Sequence, residues 1–185
     1  MEKATLGQGQ ELFKLVLQSG IEKDAFQALL ESGKFTALLN EFMMGQPITR
    51  LVRVDRTRTP KKAIKVTNRV EYTDDSAVES MPAQGKGVEQ DVEVVFFNLG
   101  RLVNDNNLAA EYEKRGLKPD PYAVSAVNEA DPSFADEHPN ATHWKDADGN
   151  WCLVAFDRSG SGRDVNVRRS GNDWLGSWWF GGVRK

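Results

Sequence analysis

The chain has one cysteine, two histidines and no long apolar run. Each scarcity removes a class of protein. Cys152 alone cannot form an internal disulfide and cannot supply a multi-cysteine zinc site. His138 and His143 do not form the i, i+4 helical pair of zinc hydrolases, and they sit among prolines and turns, so no metal site is expected. The mean hydropathy is -0.53, and no stretch of about 18 apolar residues exists to cross a bilayer. The N-terminus lacks the charged-then-apolar layout of a secretory leader, so a cytoplasmic or virion-associated setting is expected. Ser159-Gly160-Ser161-Gly162 is not followed by the Lys-Ser/Thr of a phosphate-binding loop. It also lacks the strand-serine-helix context of a hydrolase elbow. No cofactor is implied, and the expectation is a protein that is not an enzyme.

What is present is unevenly spread. Residues 1–70 carry 12 Lys and Arg against 7 Asp and Glu, a net +5; residues 71–140 carry 5 against 15, a net -10; residues 141–185 carry 7 against 5, a net +2. Tryptophan is missing from the first 143 residues, then Trp144, Trp151, Trp174, Trp178 and Trp179 follow. A chain of 185 residues can bury one core, or a core with a small satellite.

Hydrophobic periodicity divides the chain into three parts. Residues 1–46 read as a helical unit. Leu12, Leu15 and Val16 share a face before Gly20, and Phe26, Leu29 and Leu30 share one before Gly33. Phe35, Leu38, Leu39 and Phe42 share one over Lys34 to Met44. Such short helices are marginal alone, so they need a partner surface; a cap or a docking module fits. Residues 47–87 read as an irregular strand and loop connection. Ile48 to Val54 is strand-like, Arg56 to Lys62 is a basic linker, Lys62 to Tyr72 alternates loosely, and Asp74 to Gly87 is loop-like. Residues 88–185 carry the clearest pattern. Val92 to Phe97 is nearly continuous in apolar residues, which predicts a strand buried on both faces. Helices are predicted from Asn104 to Arg115 and after the Asp120 cap with Pro121 at the first position. A hairpin is predicted around the Asp148-Gly149 turn, between His143–Lys145 and Trp151–Phe156. Further strands are predicted over Arg163 to Arg168 and Trp178 to Arg184.

That order of elements resembles the C-type-lectin-like fold, in which terminal strands pair, two helices flank them and late strands and loops carry the ligand surface. The tail from Asn172 to Lys185, with Trp178-Trp179-Phe180-Gly181-Gly182-Val183-Arg184, is similar to the end of lectin-fold proteins diversified by retroelements and of formylglycine-generating-enzyme relatives. Ser19-Gly20-Ile21-Glu22-Lys23, Arg115-Gly116-Leu117-Lys118-Pro119 and the same tail resemble a family of uncharacterised small proteins from uncultivated bacteria, a likeness that implies no particular activity. The resemblance implies an α+β protein: a small helical unit followed by a lectin-like domain with short antiparallel strands. It requires Val92–Phe97 to lie beside Trp179–Arg184. It also implies a variable-type binding surface, with changes among relatives falling in the 163–178 stretch. Departures from it matter too. No Glu-Pro-Asn triplet precedes Asn172-Asp173, so the calcium ligands of sugar-binding lectins are incomplete, and the reactive cysteines of the formylglycine enzymes are missing.

The candidate ligand-binding residues are Arg158, Arg163, Asn166, Arg168, Asn172, Asp173, Trp174 and Trp178. Tryptophan and arginine are enriched where a partner docks. Trp144, Trp151 and Trp179 read as sheet-packing residues, whereas Trp174, in a Gly- and Asn-containing loop, reads equally as a packed residue or a surface contact. Arg168 and Arg169 are consecutive on a strand, so only one of them can join a given site. Cys152 reads as an inert buried thiol. The expected partner is a protein; a sugar is a weaker fit. The alternative is a nucleic-acid-associated or regulatory protein using the basic 50–69 stretch. That stretch lacks aromatic stacking residues, and the acidic segment beside it offers counter-charge within the chain.

Overall fold

The computed structural model describes residues 5–36, 38–39, 46–160 and 162–185. They fall in two compact units, Met1–Met43 and Met44–Lys185. In the first, α1 spans Leu6–Gln18 and α2 spans Lys23–Glu31. Thr5 starts α1 with a reciprocal cap: its hydroxyl accepts the Gln8 N–H, and the Gln8 side chain accepts the Thr5 N–H. Gly20 and Gly33 follow the two helices at φ +70° and +72°, the left-handed stop that glycine adopts without strain. Leu12, Phe13, Leu15 and Leu17 of α1 are exposed. Residues 34–36 and 38–39 are helical; the remainder of the expected third helix, residues 37 and 40–44, and Ser161 lie outside the described residues.

The second unit is an α+β structure built on an eight-stranded mixed sheet. Its elements in chain order are β1 (Ile48–Asp55), α3 (Pro60–Lys65), β2 (Val70–Thr73), α4 (Asp75–Glu79), β3 (Val88–Asn98), α5 (Asp105–Lys114), β4 (Leu117–Pro119), α6 (Pro121–Ala130), α7 (Phe134–Glu137), β5 (Asn140–Lys145), β6 (Trp151–Ser159), β7 (Gly162–Arg169) and β8 (Trp179–Arg184). The strand order is β1-β3-β8-β5-β6-β7-β2, with β4 paired to the second half of β8. β3 and β8 are antiparallel neighbours, from Val94 opposite Val183 to Asn98 opposite Trp179. β8 and β5 run parallel, and β5, β6 and β7 form an antiparallel meander.

Alternation along the central strands creates two cores. Val94 and Phe96 of β3, with Val154, Phe156, Val165 and Val167, pack with Val124 and Val127 of α6. Val95 and Phe97 point to the other face, where Leu153, Ala155 and Phe180 meet Leu108 and Tyr112 of α5. The near-continuous apolar run of β3 has this cause: a central strand covered on both faces has no polar side to keep.

Residues 47–87 contribute two strands and two helices to this same unit, where sequence alternation predicts only loose strands and loops. Thr59 caps α3 and Pro60 occupies its first turn, so the expected linker becomes a helix; fixed φ and a missing N–H suit proline to that position. Asp74 caps α4 within the expected loop, accepting the Ser76 and Ala77 N–H groups. β1 and β2 lie at opposite edges of the sheet. Phe134–Glu137 forms the short helix α7, and Leu117–Pro119 pairs with β8.

The two glycines of β8 are set by close packing on opposite faces. A Cβ on Gly181 would lie 2.6 Å from the Phe96 ring and 2.7 Å from Val124; one on Gly182 would lie 2.7 Å from the Lys118 carbonyl oxygen and 2.8 Å from the Tyr112 ring. A backbone oxygen in a paired strand has little freedom to retreat. Gly182→Ala is therefore expected to cost about 1–3 kcal/mol by overpacking, a fall of roughly 3–10 °C in thermal unfolding followed by circular dichroism. Gly171→Ala, at a position with open space and ordinary φ, should stay within about 0.5 kcal/mol. Equal stability of the two variants would refute this account of β8.

Candidate functional site

Six of the eight candidate residues line one concavity of about 260 Å³: Asn166, Arg168, Asn172, Asp173, Trp174 and Trp178. The periodicity of two places them there. Val165 and Val167 of β7 enter the α6-side core, so Asn166 and Arg168 face the other side, next to Leu153, Ala155 and Asp157 of β6. Arg169 turns the opposite way and pairs with Asp146 at 3.2 Å. Arg168 is exposed and makes no ion pair among the described residues.

The loop from Ser170 to Trp178 closes the concavity, and its backbone is pinned at several points. Val103 and Trp174 exchange both backbone hydrogen bonds, at 3.1 and 2.8 Å. The Asn98 amide donates to the carbonyls of Gly176 and Trp178 at 2.9 and 2.8 Å. Gly176 approaches Gly100 so closely that a Cβ would lie 2.8 Å from its carbonyl carbon. A loop held in this way has little backbone freedom left to lose on binding.

Of the two readings that its loop context leaves open for Trp174, packed residue or surface contact, the structure shows the packed one. It is 6% exposed, lies edge-on to Phe180 at 5.3 Å, and donates its indole N–H to Asp105 at 3.0 Å. The exposed apolar residue of the loop is its neighbour Leu175, at 60%, with Trp178 half-buried. Leu175 carries no sequence signal apart from adjacency to Trp174. An aromatic in a polar loop is buried only if its N–H finds an acceptor, and here that acceptor lies 69 residues away, beyond the reach of local sequence.

Asp105, the first residue of α5, is the acceptor. Its carboxylate takes Trp174 Nε1 and His143 Nδ1 on one oxygen, each at 3.0 Å, and the Ser170 hydroxyl on the other at 2.5 Å. Burial pushes this carboxyl up, but the hydrogen bonds from His143, Ser170 and Trp174 outweigh it and hold its pKa below the ordinary value. Asp157, on the rim, shows the opposite balance. Burial, then the like charge of Asp164 directly across the β6–β7 pair, push its pKa up against the pull of Arg69. Like charges opposite each other on one sheet face are unfavourable.

Arg158 and Arg163 do not join this concavity. Both are drawn to Asp136 at the end of α7, Arg163 through a two-pronged contact of 2.9 and 2.7 Å and Arg158 at 3.1 Å. Much of the basic stretch is also engaged internally. Arg56 grips Asp120 with both terminal nitrogens, at 3.1 and 2.7 Å, and lies 3.1 Å from Glu89. Arg58 pairs with Glu129, Arg69 reaches Asn128 and the Pro132 carbonyl, and Arg50 lies 4.6 Å from the centre of the Phe134 ring. Every one of these partners lies in the acidic 71–140 segment.

Cys152 is fully buried with its pKa raised by burial. Among the described residues no helix is long and apolar enough to cross a membrane. Comparisons with protein-family models, curated proteins and solved structures find no match to the chain.

Two expectations follow. Asp105→Ala leaves three donors, those of buried His143 and Trp174 and of half-buried Ser170, without their acceptor, which should cost about 3 kcal/mol and shift Trp174 emission to the red; wild-type stability and emission would show that the carboxylate does not hold the loop. Hydrogen bonds from Arg163, against burial and aided by the charges of Arg163 and Arg158, lower the Asp136 pKa to about 2. Because the folded value lies below the ordinary one of about 3.9, the stabilisation from this pairing is complete above that range and is lost as pH falls toward 2. Carboxyl-carbon NMR titration of Arg163→Ala should show the Asp136 midpoint moving up toward the ordinary range; an unmoved midpoint contradicts the assignment.

Proposed function

We propose that this is a non-catalytic ligand-binding protein whose binding surface is the concavity bounded by β6, β7 and the Ser170–Trp178 loop, and whose ligand is a protein. The observation that carries this reading is the convergence of Asn166, Arg168, Asn172, Asp173 and Trp178 on one concavity, beside a backbone fixed by Asn98, Val103 and Asp105. The composition is that of an interface patch. Leu175 and Trp178 supply apolar anchors, and Arg168, Asn172 and Asp173 form an exposed polar rim. Arg168 has no ion pair among the described residues, so a partner carboxylate would gain a charge-assisted bond without displacing one.

A C-type-lectin-like scaffold for residues 88–185 belongs to the same proposal. Its support is the antiparallel pairing of β3 with β8, the two intervening helices α5 and α6, and the late strands carrying the candidate surface. On this reading β1, β2 and the N-terminal helical unit are additions to that scaffold, and positions 163–178 are where relatives differ.

The test is selection of a displayed peptide library on the full-length protein. Selected peptides should bind the Arg168→Glu, Leu175→Asp double variant at least tenfold more weakly than wild type, measured by calorimetry, while both proteins unfold at the same temperature. Peptides that bind the two alike would place the binding surface elsewhere. Sibling sequences whose differences scatter evenly through 88–185 would count equally against the variable-surface part.

A further inference from the structure

We propose a second, separate binding site at His143, for a small ligand with a flat apolar ring bearing one hydroxyl or N–H donor. His143 is completely buried in β5. Its ring is stacked against Trp151, with centroids 4.4 Å apart and planes 10° apart, and against Tyr112 at 5.6 Å and 24°. Its Nδ1 edge is turned to Asp105. An ionised carboxylate only accepts, so Nδ1 carries the hydrogen, and in the Nδ1–H tautomer the Nε2 lone pair is an acceptor. Among the described residues no protein group hydrogen-bonds to that buried Nε2.

A buried polar atom without a partner is uncommon and asks for an explanation. Here it coincides with a concavity. His143 forms part of the wall of a space of about 260 Å³ together with Tyr112, Trp144, Trp151, Gln84 and Glu113. With Trp151 and Tyr112 stacked on the ring and the Nδ1 edge held by Asp105, Nε2 is the ring nitrogen left without a partner among the described residues, directly behind the wall of that space. The polar groups of the surrounding aromatic side chains are already committed. The Tyr112 hydroxyl is bonded to Gly181 and Thr142, Trp144 Nε1 donates to Ser80, and Trp151 Nε1 donates to Asn106. The wall therefore offers aromatic surface with the His143 acceptor at its base, and Gln84 and Glu113 as further polar groups, a combination that suits a ring with a matching donor. A cavity of about 150 Å³ lined by apolar groups already holds benzene, so one ring fits this space. The site is distinct from the Arg168 concavity. The two share only Asp105, which holds His143 for one and Trp174 for the other, so this inference does not rest on the proposed protein ligand.

The experiment uses phenol and anisole, rings of similar size of which only phenol donates a hydrogen bond. With full-length protein, phenol should move the His143 Nε2 nitrogen resonance and the Trp151 indole resonances, and bind at least threefold more tightly than anisole. His143→Phe keeps a stacked ring and removes the acceptor; it should abolish the difference between the two probes. Should that variant fail to fold, the comparison on wild type decides alone. Equal binding of phenol and anisole, no response of Trp151 to phenol, or a water that stays on Nε2 in phenol-soaked crystals would each overturn the proposal.

Discussion

The Asp105 carboxylate is the constraint on which both candidate sites depend. It sits at the first residue of α5, where the helix dipole and free N–H groups favour negative charge. It collects donors from three separate places: His143 on β5, Ser170 just after β7, and Trp174 in the following loop. A largely buried carboxylate is costly unless its lone pairs are used, and here they are used by groups that would otherwise be unsatisfied themselves. The same contact fixes one ring edge of His143 and one indole of the loop. Sheet, helix and loop therefore hold one another through a single side chain, and displacement of any of the three strips a partner from the other two.

The sheet sets what Asp105 can reach. β8 lies between β3 on one side and β4 and β5 on the other, and its glycines let α6 and Phe96 approach from one face and Tyr112 and the Lys118 backbone from the other. That close approach brings α5 down onto the strand, with the Tyr112 hydroxyl bonded to the Gly181 carbonyl at 2.8 Å. Tyr112 is also one of the two rings that stack on His143. The Gly-Gly pair in the tail is thus connected to the aromatic walls of the His143 concavity through packing rather than through proximity in the chain.

Local signals made parts of this architecture legible. The buried β3 run, the Gly20 and Gly33 helix stops, the Asp120-Pro121 start of α6 and the hairpin at Gly149 all rest on contacts within a few residues, and each is readable from one stretch of sequence. The alternation of β7 likewise separates Arg168 from Arg169. Other features depend on partners far away. Arg158 and Arg163 look like free cations until α7 brings Asp136 to them, and Trp174 reads either way until Asp105 supplies its acceptor. α3 and α4 are too short for periodicity to register; they stand out only by their Thr59 and Asp74 caps.

The charge distribution gains its meaning from the same distinction between local and distant. A run of arginines beside an acidic segment suggests a nucleic-acid surface if the arginines face water. Arg56 and Arg69 are buried instead, and Arg58 is tied to Glu129, so the two segments neutralise each other across the α6 side of the sheet. A buried bidentate pair such as Arg56 with Asp120 adds little net stability over an apolar packing. It does penalise any arrangement that leaves either charge alone, and so it fixes how β1 sits against α6. With these cations held inside, the charge left to act outward is set by fewer residues. Arg168 is one of them, and it stands out because strand alternation turns it away from Asp146, the carboxylate that captures its neighbour Arg169.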